Sequence, residues 1–142
     1  TEATSQIAAF AAAARLGAVS FQEDAARMAE IKAYTVARLA QEVPGAEVLA
    51  PGGAPHILPI SLPGYKSEVV VRFLSDRGVY LSSGSACHRG RPSHVFAALK
   101  LSKALLDGAL RVSFSYDTSR EDVDALIDGL KGAKEQLFTT LS

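Results

Sequence analysis

The first third of the chain has the pattern of two consecutive helices. The alanine-rich residues 7–14 favour a helix, and Gly17 predicts its end. Ser20 and Glu23 fit a capping box, in which a hydroxyl and a carboxylate satisfy free amides where a second helix starts. Less polar positions then recur at spacings of three and four residues: Met28, Ile31, Thr35 and Leu39. We therefore predict a second helix with one apolar stripe, ended by Pro44 and Gly45.

The next segment changes from helical periodicity to short apolar runs. Residues 47–49 and 56–62 have the pattern of two strands, separated by a Pro-Gly-Gly turn. Pro59 lacks an amide donor, so its strand is predicted either at an edge of the sheet or with the amide side turned outward. Residues 67–77 then predict a helix that Gly78 ends.

The remaining pattern predicts further strands and helices in alternation. Strands are predicted at residues 79–81 and 109–115, with a helix at about residues 93–100 between them. Thr118 and Glu121 fit another capping box. An amphipathic helix follows, with its apolar face formed by Val123, Leu126, Ile127, Leu130 and Leu137. Three or four strands covered by helices predict a two-layer α+β fold.

Composition and charge narrow the class of protein. The 142 residues have the length of one domain, predicted to span 1–142, and 48% of them are hydrophobic, as in globular folds. Fifteen basic and fifteen acidic side chains cancel, which argues against nucleic acid or an anionic membrane as a partner. The longest apolar run, residues 7–14, is too short for a membrane span. The single cysteine excludes an intramolecular disulfide and favours a reducing, cytoplasmic setting.

The loop at residues 81–92 carries the candidate chemistry. It is rich in serine and glycine, lies between a predicted strand and a predicted helix, and contains the only cysteine, Cys87. Groups that favour a thiolate over a thiol follow that cysteine: His88, Arg89, Arg91 and the helix start at Ser93. We interpret Cys87 as an accessible nucleophile. The alternative is a buried cysteine that only fills space in a core.

Several segments resemble a known family. Residues 82–87 (Ser-Ser-Gly-Ser-Ala-Cys), 92–95 (Pro-Ser-His-Val) and 110–115 (Leu-Arg-Val-Ser-Phe-Ser) resemble the C-terminal small domain of cysteine desulfurases. These enzymes are class V, fold-type I enzymes that use pyridoxal phosphate (PLP). The strand from His56 and the opening Thr1-Glu2 resemble further parts of the same pattern. The resemblance covers essentially the whole chain and implies the small-domain fold of that class.

The resemblance implies roles for three residues. Cys87 matches the nucleophile that attacks the sulfur of substrate cysteine held on PLP, leaving alanine and an enzyme persulfide. Arg111 matches the arginine that binds the substrate carboxylate, for which a planar guanidinium is suited; the alternative is a surface ion pair. Thr1 matches a threonine that contacts the cofactor phosphate of the partner subunit. For the complete enzyme, the resemblance implies a homodimer that passes sulfur to an iron–sulfur scaffold or another acceptor protein.

The chain lacks the family's motif for the lysine that binds the cofactor. No lysine follows a histidine, and all six are predicted on the solvated surface: Lys32, Lys66, Lys100, Lys103, Lys131 and Lys134. We therefore expect a piece of a larger desulfurase, beginning at Thr1 rather than at a methionine, that binds no PLP and is inactive alone. We also expect it to expose an apolar face where the large domain of the same enzyme packs.

Other candidate residues receive structural interpretations, and two alternative functions stay open. His56 and His94 are predicted to be structural, and neither forms a recognisable zinc spacing with Cys87, so no metal site is predicted. Tyr65 and Tyr80 are predicted at the edge of the core. One alternative function is a selenocysteine lyase or another class V enzyme. The other is a cofactor-free sulfur-relay or interaction module that accepts a persulfide from elsewhere.

Overall fold

The computed structural model describes residues 2–83, 98 and 100–139, which form a three-stranded antiparallel sheet covered by helices. The elements, in order, are α1 (Thr4–Glu42), β1 (Glu47–Val48), β2 (Ile57–Ser61), α2 (Ser67–Ser75), α3 (Lys103–Asp107), β3 (Ala109–Ser113) and α4 (Arg120–Gln136). The strand order is β1-β2-β3. The predicted α+β class is confirmed, and the helix predicted at residues 93–100 lies almost entirely outside the described residues.

The N-terminal third is a single helix, so the prediction of two helices is wrong. α1 continues through Gly17 and Ser20 and ends at Val43, whose N–H donates to the carbonyl of Leu39 (3.0 Å). A glycine inside a helix costs about 1 kcal/mol relative to alanine, which the surrounding alanines and the packed C-terminal part of α1 outweigh. The spacing of Ser20 and Glu23 is therefore part of a helix interior and not a cap.

The sheet is built around β2, which pairs with β1 on one side and with β3 on the other. β2 and β3 pair over their full length, with Leu58 opposite Val112. β3 ends at Ser113, two residues earlier than predicted, because the Ser115 N–H donates to Thr118 Oγ1 (2.9 Å) in a turn. The strand predicted at residues 79–81 does not form, and one bridge at Ser82 joins this segment to β3.

Pro59 lies in the central strand, so the first of the two predicted alternatives, an edge strand, is wrong. Its carbonyl accepts a hydrogen bond from the Leu49 N–H (3.0 Å), so its backbone groups face the β1 side of the sheet. β1 has already ended at Val48, and a donor at Pro59 is therefore not needed to continue that ladder.

The core lies between one face of the sheet and helices α2 and α4. Alternate residues of β2 and β3 are buried there: Leu58, Ile60, Leu110 and Val112. α4 contributes a helical stripe consisting of Val123, Leu126, Ile127, Leu130 and Ala133. Its capping box is formed by Ser119 and Asp122, one residue beyond the predicted pair of Thr118 and Glu121. The Thr118 hydroxyl is used by the preceding turn instead.

The short helix α3, which the sequence did not predict, closes the end of β2. Ser102 caps it by accepting from the Leu105 N–H (3.4 Å), and Ser61 Oγ donates to the Leu105 carbonyl (2.8 Å). Gly108 follows at a close approach of two backbone segments, because a Cβ there would lie 2.2 Å from the Leu62 carbonyl oxygen. A five-residue helix is too short to show a helical periodicity in the sequence.

The C-terminal part of α1, residues 24–42, packs against the rest of the domain, and we call it the inner half. Its buried residues are Ile31, Lys32, Thr35 and Leu39. Charged and polar side chains join it to α4: Arg38 pairs with Asp124 as well as with Glu42, and the Tyr34 hydroxyl donates to Asp124 Oδ1 (3.2 Å). The stripe predicted from residues 28–39 is therefore confirmed.

Lys32 is only 7% exposed, so the prediction that every lysine is solvated is wrong for this residue. Its Nζ donates to the carbonyls of Gly53 (3.1 Å) and Ala54 (3.0 Å). The ammonium group thus fastens the connection between β1 and β2 to α1. Its contacts depend on a loop more than 20 residues away, which the helical pattern does not reveal.

The N-terminal part of α1, residues 4–23, leaves its large apolar side chains exposed, and we call it the outer half. The exposed side chains are Ile7, Phe10, Leu16, Val19 and Phe21. At 3.6 residues per turn, Phe10 and Phe21 lie on the same side of α1 as Leu39, so the stripe of the inner half continues outward. Within the described residues, no helix has the length and apolar character that crossing a membrane requires.

Candidate functional site

Of the three predicted site residues, only Arg111 belongs to the part of the chain that the structure describes. Cys87 and Thr1 lie outside the described residues, and so do the basic neighbours of Cys87 and the second histidine predicted to be structural: His88, Arg89, Arg91 and His94. The site is therefore built from Arg111 outward.

Arg111 lies in the middle of β3, with its side chain on the sheet face opposite the core. Its strand neighbours Leu110 and Val112 are buried, whereas Arg111 and Ser113 are exposed. This alternation follows from the strand geometry, because successive side chains point to opposite faces and only one face of this sheet is covered by α2 and α4. The guanidinium group is therefore presented on the open face of the sheet.

Two neighbours define the backbone around Arg111. The Arg111 N–H donates to the Ser82 carbonyl (2.7 Å), and the Ser82 N–H donates back to the Arg111 carbonyl (3.4 Å). Pro59 lies directly opposite Arg111 on the other side. Because the backbone groups of Arg111 point toward Ser82, Arg111 and Pro59 form a non-hydrogen-bonded pair, the kind in which opposing side chains are closest. The missing amide of Pro59 therefore costs no hydrogen bond to β3.

The guanidinium of Arg111 has no hydrogen bond or ion pair with any side chain or carbonyl among residues 2–83, 98 and 100–139. Arg38 is the opposite case, because hydrogen bonds with Glu42, Asp124 and Tyr34 raise its pKa above the usual value. The alternative of a surface ion pair at Arg111 is thus not observed in this part of the chain. An exposed, uncommitted guanidinium is suited to bind a carboxylate with two parallel hydrogen bonds.

The described residues do not form a PLP site. A lysine that binds PLP must offer a free amine beside ligands for the cofactor phosphate. The Lys32 amine is committed to two backbone carbonyls, Lys66 pairs with Asp107 (2.6 Å), and Lys131 pairs with Glu42 (3.3 Å). Lys134 Nζ donates to the Pro44 carbonyl, and Lys100 and Lys103 are exposed on the surface. The described lysines therefore do not fit the role, and we assign no cofactor-dependent step to them.

The remaining candidates from the sequence have structural positions. The His56 side chain is exposed, and its carbonyl accepts from the Phe114 N–H (2.9 Å) at the end of the β2–β3 ladder. Tyr65 is buried and its hydroxyl donates to the Lys134 carbonyl (3.3 Å), which confirms its predicted place at the core. Tyr80 is 79% exposed, so its predicted place at the core edge is wrong.

Solved structures share this fold. A NifS-like protein from Rickettsia africae superimposes on 95% of the chain with a TM-score of 0.80 and 18% identity, and the match covers 36% of that protein. The cysteine desulfurase CsdA from Escherichia coli matches 80% of the chain with a TM-score of 0.61 and 23% identity, over 26% of its own length. The fold of this chain is therefore shared with one part of each of these longer proteins.

The chain belongs to the aminotransferase class-V family, whose family model matches residues 1–126. The NifS/IcsS protein homolog of Lactobacillus delbrueckii subsp. bulgaricus is 35% identical over 132 residues, covering 89% of this chain and 34% of that relative. The cysteine desulfurase IscS of Dictyoglomus turgidum is 25% identical over 143 residues, covering 98% of this chain and 36% of the relative. The chain thus spans about a third of the length of these curated relatives.

Proposed function

We propose that this chain is the C-terminal small-domain part of a PLP-dependent cysteine desulfurase, in which Arg111 binds the carboxylate of L-cysteine and Cys87 receives its sulfur. The observation that carries the proposal is the exposed guanidinium of Arg111, which has no hydrogen-bond or ion-pair partner among residues 2–83, 98 and 100–139, on a strand position bridged to Ser82. Cys87 follows Ser82 by five residues, and such a stretch spans at most about 18 Å. A thiolate on this segment is therefore within reach of a substrate held at Arg111.

The reaction that we assign to Cys87 transfers one sulfur atom. The Cys87 thiolate attacks the substrate sulfur, so that an S–S bond forms and the Cβ–S bond of the substrate breaks. The electron pair of the broken bond goes to Cβ, which takes up a proton to give L-alanine. Cβ is reduced by two electrons, the substrate sulfur and the Cys87 sulfur are each oxidised by one, and Cys87 is left as a persulfide. The basic residues that follow Cys87 in the sequence favour the thiolate that starts the reaction.

PLP is held, in this proposal, by a large domain corresponding to the rest of the longer relatives. We assign the outer half of α1 as the surface that this large domain covers. Its apolar stripe continues in phase from the inner half, and its exposed residues Leu16 and Val19 add a second apolar side. A helix that is apolar on several sides is buried in a complete protein.

Further properties belong to the same proposal. The complete enzyme is a homodimer in which Thr1 approaches the PLP phosphate of the partner subunit. Its persulfide passes to a sulfur acceptor such as an iron–sulfur scaffold protein in the cytoplasm. Residues 1–142 form one domain that is inactive alone. The relatives named cysteine desulfurase and IscS support this assignment over a selenocysteine lyase or a cofactor-free sulfur relay.

A chimera tests the proposed function. The C-terminal third of the Lactobacillus delbrueckii relative is replaced by this chain, and alanine formation from L-cysteine is measured, with the unaltered relative as positive control. We expect the chimera to form alanine and the isolated chain to form none. Cys87→Ala abolishes alanine formation, while Arg111→Gln raises KM for L-cysteine by about 10–100-fold, the effect of losing a hydrogen bond between charged groups.

Two results would contradict the proposal. One is a chimera that shows the absorbance of bound PLP but forms no alanine. The other is an Arg111→Gln chimera with an unchanged KM for L-cysteine. Transfer of the outer sulfur of a persulfide donor to the isolated chain, without PLP and with release of the donor thiol, would favour the sulfur-relay function instead, and a preference for selenocysteine would favour a lyase.

A further inference from the structure

Pro59 occupies the position closest to Arg111 on the open face of the sheet. The two residues are register partners in a non-hydrogen-bonded pair, for which side chains lie about 4.5–5.5 Å apart at Cβ. The neighbouring register pairs on this face are Ile57 with Ser113 and Ser61 with Ala109. None of these neighbours carries a carboxylate, so nothing in the adjacent pairs attracts the guanidinium of Arg111.

Proline has two properties that matter at this position. Its ring has almost no rotamer freedom, so it forms a fixed boundary on one side of the Arg111 stem. It also carries no charge, so it cannot draw the guanidinium down onto the sheet in an ion pair. Because the pair is non-hydrogen-bonded, a proline is accommodated here without loss of a bond to β3.

We propose that Pro59 is a positioning residue that borders Arg111 and offers it no charged partner on β2, so that the guanidinium stays available for carboxylate binding. This inference rests on the proposed function for its consequence in catalysis, but the coupling between Pro59 and Arg111 is testable in the chain alone. A carboxylate at position 59 would compete directly with the substrate carboxylate for the guanidinium.

The coupling is measured in the 142-residue chain by NMR titration of Pro59→Glu and of the double variant Pro59→Glu/Arg111→Gln. We expect the introduced carboxyl to have a lower pKa in the single variant than in the double variant, because only the single variant offers it a guanidinium. Equal values in the two variants would overturn the inference. Circular dichroism and urea midpoints of both variants show that the comparison is made on folded protein.

The consequence is measured in the chimera with L-cysteine. Pro59→Glu is expected to raise KM by roughly two- to fivefold, as for a surface ion pair that must be broken, with little change in kcat. Pro59→Gln, which has the same size without the charge, should raise KM less. Val69→Glu is the matched charge control, because Val69 is exposed on α2 on the other side of the sheet, and its KM should not change.

The outcomes separate this inference from the proposed function. A raised KM in Arg111→Gln with an unchanged KM in Pro59→Glu would overturn the role of Pro59 and leave the function standing. Equal KM values for Pro59→Gln and Pro59→Glu would overturn the claim that the absence of a charge at position 59 keeps the guanidinium available. An NMR coupling without any KM change in Arg111→Gln would contradict the proposed function and, with it, the catalytic consequence assigned to Pro59.

Discussion

The inner half of α1 buries Ile31, Thr35 and Leu39 against its own domain, whereas the outer half leaves Phe10 and Phe21 exposed. Both halves belong to one uninterrupted helix and share one apolar stripe. The inner half is also tied to α4 by ionic side chains, while residues 4–23 contain only two charged residues, Arg15 and Glu23. The two halves therefore have the same helical structure, and they differ in whether the rest of the described chain covers their apolar side chains.

This difference separates two properties of the chain. The stability of the domain depends on the inner half, because its side chains contact the core and its loss would expose buried surface. The outer half contributes little to that stability, yet its apolar surface is available for assembly with another domain. Substitutions in the two halves should therefore act on different measurements.

The largest expected effect comes from truncating a buried side chain of the inner half. Leu39 is 2% exposed, so Leu39→Ala should lower the free energy of unfolding by about 2–5 kcal/mol. Phe10 is 78% exposed, and Phe10→Ala should change it by no more than about 0.5 kcal/mol. Urea unfolding followed by circular dichroism measures both. Similar losses of unfolding free energy in the two variants would contradict the proposed difference between the inner and outer halves.

Alanine substitutions at two glycines, one in the packed part of the protein and one in the outer half, test the same difference, with a smaller expected effect on the free energy of unfolding. Gly108→Ala places a methyl group against the Leu62 carbonyl and should destabilise the domain by about 1–3 kcal/mol. A Cβ added at Gly17 in the outer half would meet no described atom within 4 Å beyond the local backbone of α1, so Gly17→Ala should raise helicity and leave the unfolding midpoint of the core unchanged. A loss of stability in Gly17→Ala would show that the outer half is packed after all.

The smallest effect is a pH dependence that belongs to the inner half. Hydrogen bonds from Arg38 and then Lys131 lower the pKa of Glu42 from its usual value of 4.5. Because the folded-state pKa is depressed, the stabilisation is complete above pH 4.5 and is lost as the pH falls below it. Glu42→Gln should therefore show a shallower acid destabilisation than the parent chain. Glu135→Gln, an exposed change of equal charge, is the control, and identical acid slopes in all three chains would contradict this assignment.

The sequence predicted those elements whose pattern is set by the nearest buried neighbours. β2, β3 and α4 alternate or repeat because each has one face on the core, and the periodicity records that face. The continuity of α1 was not predictable, because Gly17 and the spacing of Ser20 and Glu23 occur both at helix ends and in helix interiors. The short helix α3 and the buried Lys32 depend on contacts with distant segments.

At the candidate site, too, contacts between segments distant in the sequence could not be predicted. Arg111 stood out in the sequence because a charged residue inside an apolar strand is unusual; the structure places it on the open face, and its role in binding stays a prediction. Its neighbour Pro59 was not predictable as part of the site, because the register between β2 and β3 is set by the packing of the 47 residues between Ser61 and Ala109. The register between two strands cannot be inferred from the sequence of either strand alone, whereas the periodicity of each strand can.

The proposal that Cys87 receives the sulfur of L-cysteine is tested by locating the transferred sulfur atom. The chimera is incubated with L-cysteine, digested under conditions that preserve persulfides, and its cysteine-containing peptides are analysed by mass spectrometry. We expect one additional sulfur atom on the peptide that contains Cys87, formed together with alanine. In Arg111→Gln, this sulfur should be missing at low L-cysteine concentration. Alanine formation with an unmodified Cys87, or with the added sulfur only on another residue, would contradict the proposed role of Cys87.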